Sequence, residues 1–254
     1  MLIDTHAHIY SEEFLEDIDE VITRAYDNDV RKIVLPNIDS SSVKKMLDLA
    51  DQYPQICYPL MGLHPTSVGE DYEEELELIE FWLKKRKFYG IGEIGIDLYW
   101  EQKYLEEQIK AFRYQLRLAK EYKLPVVLHV RESFDEVVAV LEEENQADLT
   151  GVFHSFTGTV EQANKIVALG FKIGIGGIVT FKNSGLDQVI AQVHPQHLIL
   201  ETDAPYLTPT PFRGKRNESA YLIHVARKIA ELHDMSVNEV AKITSANAVN
   251  LFGI

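Results

Sequence analysis

Short apolar runs alternate with longer amphipathic stretches along the whole chain. An apolar run of about four to eight residues is typical of a buried strand, whereas apolar residues three and four apart are typical of a helix packed on one side. In residues 104–122, for example, Leu105, Ile109, Phe112 and Leu116 keep the helical spacing. The pattern predicts eight strands, within residues 1–6, 31–37, 57–64, 88–95, 124–130, 150–156, 170–177 and 197–203.

Helical patterns lie between and after these strands, most clearly in residues 13–29, 40–53, 104–122 and 217–234. Strands that alternate with helices predict a parallel sheet. Eight such repeats in 254 residues predict an α/β fold, a (β/α)8 TIM barrel that forms a single domain over residues 1–254. An open doubly wound sheet is the alternative, but the glycines of GIGEIG and GIGG lack the G-x-G-x-x-G spacing of a dinucleotide site.

The chain is strongly acidic, with a formal charge of −15 from 40 acidic and 25 basic residues. This balance disfavours general adhesion to nucleic acid or anionic membranes, but it leaves room for an anionic substrate at one locally positive site. The single cysteine, Cys57, excludes a disulfide within the chain, and no secretory leader or bilayer-length apolar run is visible. We therefore expect a cytoplasmic protein without a membrane partner, and we expect a monomer.

Two histidines, His6 and His8, stand two residues apart in the first strand. Residues at i and i+2 of a strand point to the same side, so both imidazoles leave the strand together. Further ligand-type residues end later strands, and in a closed barrel those C-terminal ends face a common axis. The convergent set consists of His6, His8, Glu93, His129, His154 and Asp203.

Four imidazoles and two carboxylates exceed what one tetrahedral zinc ion needs. Two divalent cations bridged by Glu93 would use the whole set, and such a pair generates hydroxide near neutral pH and clamps the attacking and leaving oxygens. Imidazoles suit Zn²⁺, whereas carboxylates and phosphate chemistry admit Mg²⁺ or Mn²⁺, so the residue types leave the metal open. The sequence thus predicts a hydrolytic centre with two divalent metal ions per chain.

Seven short motifs occur in this order: DTHAH, GLHP, GEIGID, LHVRE, FHSFTG, ETDAPYL and FRGKRNE. Together they resemble the TatD-type metal-dependent deoxyribonucleases, and the resemblance runs from Ile3 to the C-terminal helix. It implies a TIM barrel, a mono- or dinuclear metal site, the six ligands named above and hydrolysis of DNA phosphodiesters, often from the 3′ end. Leu98, Ser155 and Ser219 replace the aromatic, cysteine and proline that are usual there, which bears on substrate preference rather than on the ligands.

The carboxylates of the set have separate expected roles. Asp203 is the best candidate for the catalytic base, because a carboxylate beside a cation can both ligate and accept a proton; a helix cap is the structural alternative. Glu93 shares the catalytic role as the bridge between the metals. Glu201 either supports a ligand from behind or is a structural carboxylate. Asp4, which shares the parity of the first two histidines, either orients a ligand imidazole or stabilises the strand end.

Two residues beside the strand ends are candidates for substrate contacts. His64 in GLHP matches no ligand position of the family, and we expect it to contact a phosphate or the leaving group. Arg131 follows His129 by two residues and so points the same way. It either grips a phosphate with two hydrogen bonds or pairs with Glu132 or Asp135.

The loop FRGKRNES after the last strand concentrates positive charge in an acidic chain, at Arg213, Lys215 and Arg216. We expect this loop to bind substrate phosphates, with a plain exposed loop as the alternative. Trp100, Phe156 and Tyr206 lie beside site motifs, and each of them either stacks on a base or packs in the core.

Three functions are compatible with these features. The leading prediction is a deoxyribonuclease with a role in DNA repair, a 3′–5′ exonuclease acting on single-stranded DNA or frayed ends. The alternative is a hydrolase that uses the same metal site to cleave a different bond, such as an amidohydrolase or a D-aminoacyl-tRNA deacylase. A non-enzymatic binding protein is the third, and the six convergent ligands argue against it. The basic loop favours a phosphate-bearing substrate but leaves the bond to be cleaved open.

Overall fold

The computed structural model describes residues 1–100, 102–144 and 148–254. Eight strands alternate with helices along these residues. The strands are β1 (Leu2–Asp4), β2 (Val30–Leu35), β3 (Cys57–Pro59), β4 (Ile91–Asp97), β5 (Val126–Arg131), β6 (Gly151–Phe153), β7 (Lys172–Ile175) and β8 (Leu198–Leu200). The helices are α1 (Ile18–Asp27), α2 (Ser40–Gln52), α3 (Tyr72–Lys85), α4 (Leu105–Tyr122), α5 (Phe134–Glu143), α6 (Val160–Ala168), α7 (Leu186–Ile190), α8 (Leu222–Leu232) and α9 (Val237–Phe252).

All strand pairings are parallel, in the orders β1-β2-β3 and β4-β5-β6-β7-β8. The two groups join at two seams, each marked by a parallel bridge: Ala7 pairs with Ala204, and Met61 pairs with Ile91. At the second seam the backbone N–H of Gly92 donates to the Met61 carbonyl over 3.0 Å. The eight strands therefore surround one interior, which confirms the predicted (β/α)8 barrel.

One face of each strand lines the interior. At the N-terminal end of the barrel, apolar strand residues pack against Ala248 and Phe252 of α9, which closes that end. Two positions further along the same faces, Val127 is followed by His129 and Val152 by His154. Because side chains two apart share a face, the apolar interior changes into a polar mouth at the C-terminal ends of the strands.

Six of the eight strands end earlier at the mouth than predicted, whereas β4 and β5 continue past their predicted ends to Asp97 and Arg131. Residues 57–64 were expected to form one strand, yet β3 ends at Pro59. Further along, the N–H of His64 donates to Ile38 in the loop after β2 rather than to a neighbouring strand. Among the described residues, every helix is too short or too polar to span a lipid bilayer.

Candidate metal centre

A buried carboxylate, that of Glu93, lies at the centre of the barrel mouth and is only 2% exposed. Its Oε1 is 2.7 Å from His154 Nε2, 2.9 Å from His129 Nδ1 and 3.3 Å from His64 Nε2. Burial alone would raise the pKa of Glu93, but the nearby imidazoles of His154 and His64 outweigh it and hold that pKa well below its usual value. The carboxylate is therefore ionised and faces three ring nitrogens on this side.

The second oxygen of Glu93 faces the paired histidines of the first strand. Its Oε2 lies 3.1 Å from His6 Nε2 and 3.6 Å from His8 Nε2, and these two nitrogens are 3.2 Å apart. Asp203 Oδ1 lies 3.7 Å from His6 Nε2 and 3.8 Å from His8 Nε2. Burial lowers the pKa of His6 to about 3 and that of His8 to about 4, so both rings are neutral near pH 7.

The donor atoms form groups of metal-binding size. Within each group the ligand atoms lie within 4.8 Å of one another. The groups are His6 with His8 and Asp203, His6 with Glu93 and His154, and His64 with Glu93 and His129. Neutral imidazoles together with carboxylates are ligands for divalent ions such as Zn²⁺ or Mn²⁺, and Glu93 belongs to two of the groups. The residues present therefore fit divalent metal ions on both sides of the Glu93 carboxylate.

The tautomer of His8 is fixed by its neighbour Tyr10. The Tyr10 hydroxyl donates to the carbonyl of Pro36 over 2.6 Å and lies 2.9 Å from His8 Nδ1. A phenol has one hydrogen, and a carbonyl can only accept, so His8 Nδ1 must be the donor in its contact with Tyr10. Nε2 of His8 therefore presents its lone pair to the centre, as a metal ligand requires. Sequence reasoning did not single out Tyr10.

His64 has the opposite tautomer. His64 caps the start of a short 3-10 helix, Pro65–Ser67: the backbone N–H of Thr66 donates to His64 Nδ1 over 3.1 Å. An amide nitrogen always carries its hydrogen, so Nδ1 accepts and the neutral ring carries its hydrogen on Nε2. That N–H points at the cluster and can donate to an oxygen there. His64 therefore lies within the donor cluster but is suited to be a hydrogen-bond donor rather than a ligand.

A carboxylate that sequence reasoning missed supports His129 from behind. Asp97 Oδ2 is 2.8 Å from His129 Nε2, which leaves Nδ1 to face Glu93 and the centre. Burial lowers the pKa of His129, but Asp97 and Glu93 outweigh it and raise that pKa to about 9. Gly95 permits this arrangement, because its φ is +140° and a Cβ there would overlap the His129 carbonyl oxygen. The shared parity of Glu93 and Asp97 in GEIGID was the available signal.

Asp4 makes its contacts at the outer side of the strand end. Its carboxylate accepts from the Thr202 N–H over 2.9 Å, from the Thr202 hydroxyl over 2.6 Å and from the Ser219 hydroxyl over 2.6 Å. Within the described residues it has no contact with an imidazole, only a long bond from the His6 backbone N–H at 3.4 Å. This geometry favours the strand-stabilising alternative. Ser219, one of the departures from the family pattern, thus has a definite structural use.

Glu201 is fully buried beside His154. It accepts a short hydrogen bond from the Ser155 N–H, and its Oε1 lies 3.8 Å from His154 Nδ1, beyond hydrogen-bond distance. A Cβ at Gly174 would overlap Glu201 Oε2, so the glycine makes the space that this carboxyl group occupies. Burial raises the pKa of Glu201 to about 8, which makes it a neutral acid at pH 7. Its hydrogen bond from Ser155 positions the end of β6.

Asp203 is held at the mouth by its backbone. Its φ is +57°, a left-handed conformation that aspartate tolerates, and its N–H donates to the His6 carbonyl over 2.9 Å. Burial raises the pKa of Asp203 to about 7 against the lowering effect of His154. The carboxylate therefore lies against the His6 and His8 nitrogens with its side chain 15% exposed.

The basic loop is placed differently from the expectation. Both terminal nitrogens of Arg216 donate to Asp17 at 2.8 and 2.7 Å, and its guanidinium lies over the Phe14 ring at 4.4 Å. The guanidinium of Arg213 lies over Phe181 at 3.6 Å and has a further bond to a loop carbonyl. Both arginines are thus occupied in holding the loop, and the expected phosphate contact of Arg216 has to compete with Asp17. Lys215 is exposed, and no acidic partner lies within ion-pair distance among the described residues.

Arg131 has no ion pair with a carboxylate of the described residues, Glu132 and Asp135 included. Its guanidinium carbon lies 4.0 Å from the centre of the Tyr99 ring and 5.3 Å from that of Trp100. The alternative in which Arg131 is neutralised by its neighbours is therefore not realised, and its positive charge is free beside the mouth.

Comparison with known proteins identifies the family. A family model described as TatD related DNase matches residues 3–253. The chain belongs to the TatD family. It is accordingly a metal-dependent hydrolase, and the resemblance drawn from the seven motifs is confirmed.

Several TatD-family relatives match over their whole length. The uncharacterized metal-dependent hydrolase YabD of Bacillus subtilis is 40% identical over 255 residues, which covers 100% of both chains. The 3′-5′ ssDNA/RNA exonuclease TatD of Escherichia fergusonii is 32% identical over 100% of this chain and 99% of its own. The crystal structure of YjjV, a TatD homologue from Escherichia coli, superposes with a TM-score of 0.93 at 34% identity and covers 100% of this chain and 98% of that one.

Proposed function

We propose that this TatD-family hydrolase cleaves phosphodiester bonds of DNA, as a 3′–5′ exonuclease on single strands or frayed ends. The observation that carries the proposal is the Glu93 carboxylate, which faces His129 and His154 with one oxygen and His6 and His8 with the other. Such a bridge between two groups of ligands suits an in-line displacement at phosphorus. The TatD exonuclease of Escherichia fergusonii, with 32% identity, supports the choice of substrate.

Six residues would hold two divalent ions in this proposal: His6 and His8, which face Glu93 Oε2, together with Asp203 on one side, His129 and His154, which face Glu93 Oε1, on the other, and Glu93 between them. When bound, such ions supply a water molecule of lowered pKa and neutralise charge on the phosphate. Mg²⁺, Mn²⁺ and Zn²⁺ are the candidates, since the donors are imidazole and carboxylate.

Asp203 takes the proton of the attacking water in this proposal. It is the carboxylate of the cluster with an exposed edge, at 15%, and so it can reach both the nucleophile and bulk water. Glu93, at 2% exposure and with both oxygens facing histidines, is left as the bridge. The roles of base for Asp203 and bridge for Glu93 are assigned from burial and contacts, because both side chains are carboxylates and residue type does not distinguish them.

His64 contacts the substrate in this proposal. Its Nε2–H points at the cluster, 3.3 Å from Glu93 Oε1 and 3.2 Å from His129 Nδ1, and it can donate to a phosphate or leaving oxygen placed there. A donor aimed at the position where negative charge develops stabilises the transition state more than the ground state. A loss of this donor should therefore lower kcat more than it raises KM.

Single-stranded DNA labelled at its 3′ or its 5′ end tests the proposal, with Mg²⁺, Mn²⁺ and Zn²⁺ added separately to chelator-stripped protein. We expect mononucleotides to be released first from the 3′-labelled end, and only when metal is present. Stripping the metal should leave the circular-dichroism spectrum of the protein unchanged. Glu93→Ala is the matched inactive control. Cleavage of a D-aminoacyl-tRNA but of no DNA with any metal would contradict the proposal. Gel filtration of the same samples tests the proposed monomeric state. The proposed cytoplasmic location is compatible with the single cysteine, Cys57, which is a free, buried thiol.

A further inference from the structure

Two aromatic side chains of the loop after β4 are exposed at the barrel mouth. Tyr99 is 51% exposed, and Trp100, at 67%, is the most exposed large hydrophobic side chain among the described residues. Their rings meet edge to face, with centroids 4.8 Å apart and planes at 89°. Core packing, the structural alternative for Trp100, is therefore excluded. A large apolar surface held in water beside a reaction centre calls for a binding partner.

A free positive charge lies against these rings. The guanidinium carbon of Arg131 is 4.0 Å from the Tyr99 centroid and 5.3 Å from the Trp100 centroid, both within cation–π range. No carboxylate among residues 1–100, 102–144 and 148–254 pairs with it. In a chain of net charge −15, this combination of aromatic faces and an uncompensated cation is complementary to a nucleotide, which offers a flat base and an anionic phosphate.

One carboxylate fixes the aromatic pair relative to the metal centre. Asp97 Oδ1 accepts the backbone N–H groups of Tyr99 and Trp100 at 3.0 and 2.8 Å, while its Oδ2 lies 2.8 Å from Nε2 of His129. His129 in turn contacts Glu93, so hydrogen bonds through Asp97 and His129 connect the backbone of the two aromatic residues to the cluster. The loop that carries the rings is therefore anchored to a residue of the cluster.

We propose that Tyr99, Trp100 and Arg131 form a stacking platform for the base next to the scissile phosphate of a single strand. The Trp100 indole stacks on the base, and the Arg131 guanidinium contacts the adjoining phosphate. This inference rests on the proposed function and deepens it, because it gives the site a reason to prefer single strands. A base inside a duplex has both faces covered by its neighbours and has none to offer the indole.

Intrinsic fluorescence tests the platform without any turnover. The chain has two tryptophans, and Trp82→Phe on helix α3 leaves Trp100 as the sole indole. This variant is titrated, in chelator, with a short oligothymidylate and with an abasic deoxyribose-phosphate strand of the same length. We expect quenching by the oligothymidylate and little by the abasic strand. Equal signals from the two strands, or no quenching by either, would overturn the platform.

Kinetics provide the second measurement. Trp100→Ala should raise KM for the oligothymidylate about 5- to 100-fold, since one stacked base contributes roughly that much to affinity, whereas Trp100→Phe should retain most of it. On the abasic strand Trp100→Ala and the unaltered protein should behave alike. Phe81→Ala removes another exposed ring, 49% exposed on α3, and serves as the matched control. An unchanged KM of Trp100→Ala on the oligothymidylate would overturn the platform.

The two proposals fail separately. Quenching specific to bases, without hydrolysis of any strand by any metal, supports the platform and contradicts the exonuclease. Hydrolysis of single strands from the 3′ end without base-specific quenching of Trp100 supports the exonuclease and overturns the platform.

Discussion

Replacement of Asp97 by asparagine should weaken metal binding although Asp97 touches no metal in the proposed scheme. The carboxylate makes two kinds of contact, accepting the N–H groups of Tyr99 and Trp100 with Oδ1 and facing His129 Nε2 with Oδ2. An amide has one oxygen and one NH₂ group. If the oxygen keeps the two loop N–H groups, the NH₂ faces His129 Nε2, which must then accept. In the neutral ring the hydrogen then lies on Nδ1, the atom that faces Glu93 and the centre.

The size of the effect follows from this contact. Loss of a carboxylate behind a ligand histidine typically lowers metal affinity about 10- to 100-fold, or about 1.4–2.7 kcal/mol. A hydrogen bond to a charged group is worth about 1.5–3 kcal/mol, which is the same range. The pKa of His129 should fall from about 9 as well, because Asp97 is the largest of the effects that raise it.

Competition with a chromophoric chelator for Zn²⁺ or Mn²⁺ measures the affinity, and nitrogen NMR of the imidazole reports which ring nitrogen carries the hydrogen. Asp135→Asn, at an exposed position of α5 with no contact to the cluster, is the matched control. Metal affinity within about twofold of the unaltered protein, together with an unchanged His129 tautomer, would refute the reasoning.

Three further outcomes are expected. Glu93→Ala should lower metal content per chain in elemental analysis because it removes the bridge, whereas Asp203→Asn should lose most turnover because an amide accepts no proton; full metal content in Glu93→Ala contradicts the bridging role. Lys215→Ala should lower the slope of log KM against log salt concentration for single strands by about 0.7. Arg216→Ala should leave that slope unchanged, because the Arg216 guanidinium is held by Asp17. Equal slopes in Lys215→Ala and the unaltered protein would exclude Lys215 from phosphate binding. The hydrogen bond from Arg216 lowers the pKa of Asp17 from 3.8 to about 2. The contribution of this pair to folding stability is therefore complete above pH 3.8 and disappears as the pH falls through 2. Urea unfolding of Asp17→Asn should show a loss of about 1 kcal/mol in the free energy of unfolding at pH 7, after allowance for partial exposure, and little loss near pH 2.

The architecture was predictable because periodicity reports which faces are buried, and barrel strands alternate between two packed faces. The strand-end histidines were predictable for a related reason, since a polar residue that continues an apolar face, such as His129 after Val127, has to meet other strand ends. Asp97 escaped because the fourth strand was expected to end at Gly95, whereas β4 continues to Asp97 through that glycine.

Loop side chains could not be placed from the sequence, because their partners come from distant parts of the chain. Arg216 meets Asp17 across 199 positions, and nothing local to FRGKRNES indicates that contact. Trp100 stayed undecided for the same reason, since exposure of a ring depends on what packs over it. Charge counts within a loop therefore overstate how many of its cations are available to a ligand.

The seam between β1 and β8 determines when the candidate metal centre can assemble during synthesis of the chain. His6 and His8 are synthesised before Asp203, whose N–H donates to the His6 carbonyl. The bridge of Ala7 to Ala204 can form only then. Under the proposed function, a chain that ends before Asp203 therefore lacks the proposed base and one proposed ligand, and hydrolytic activity appears only after Asp203 has docked against His6.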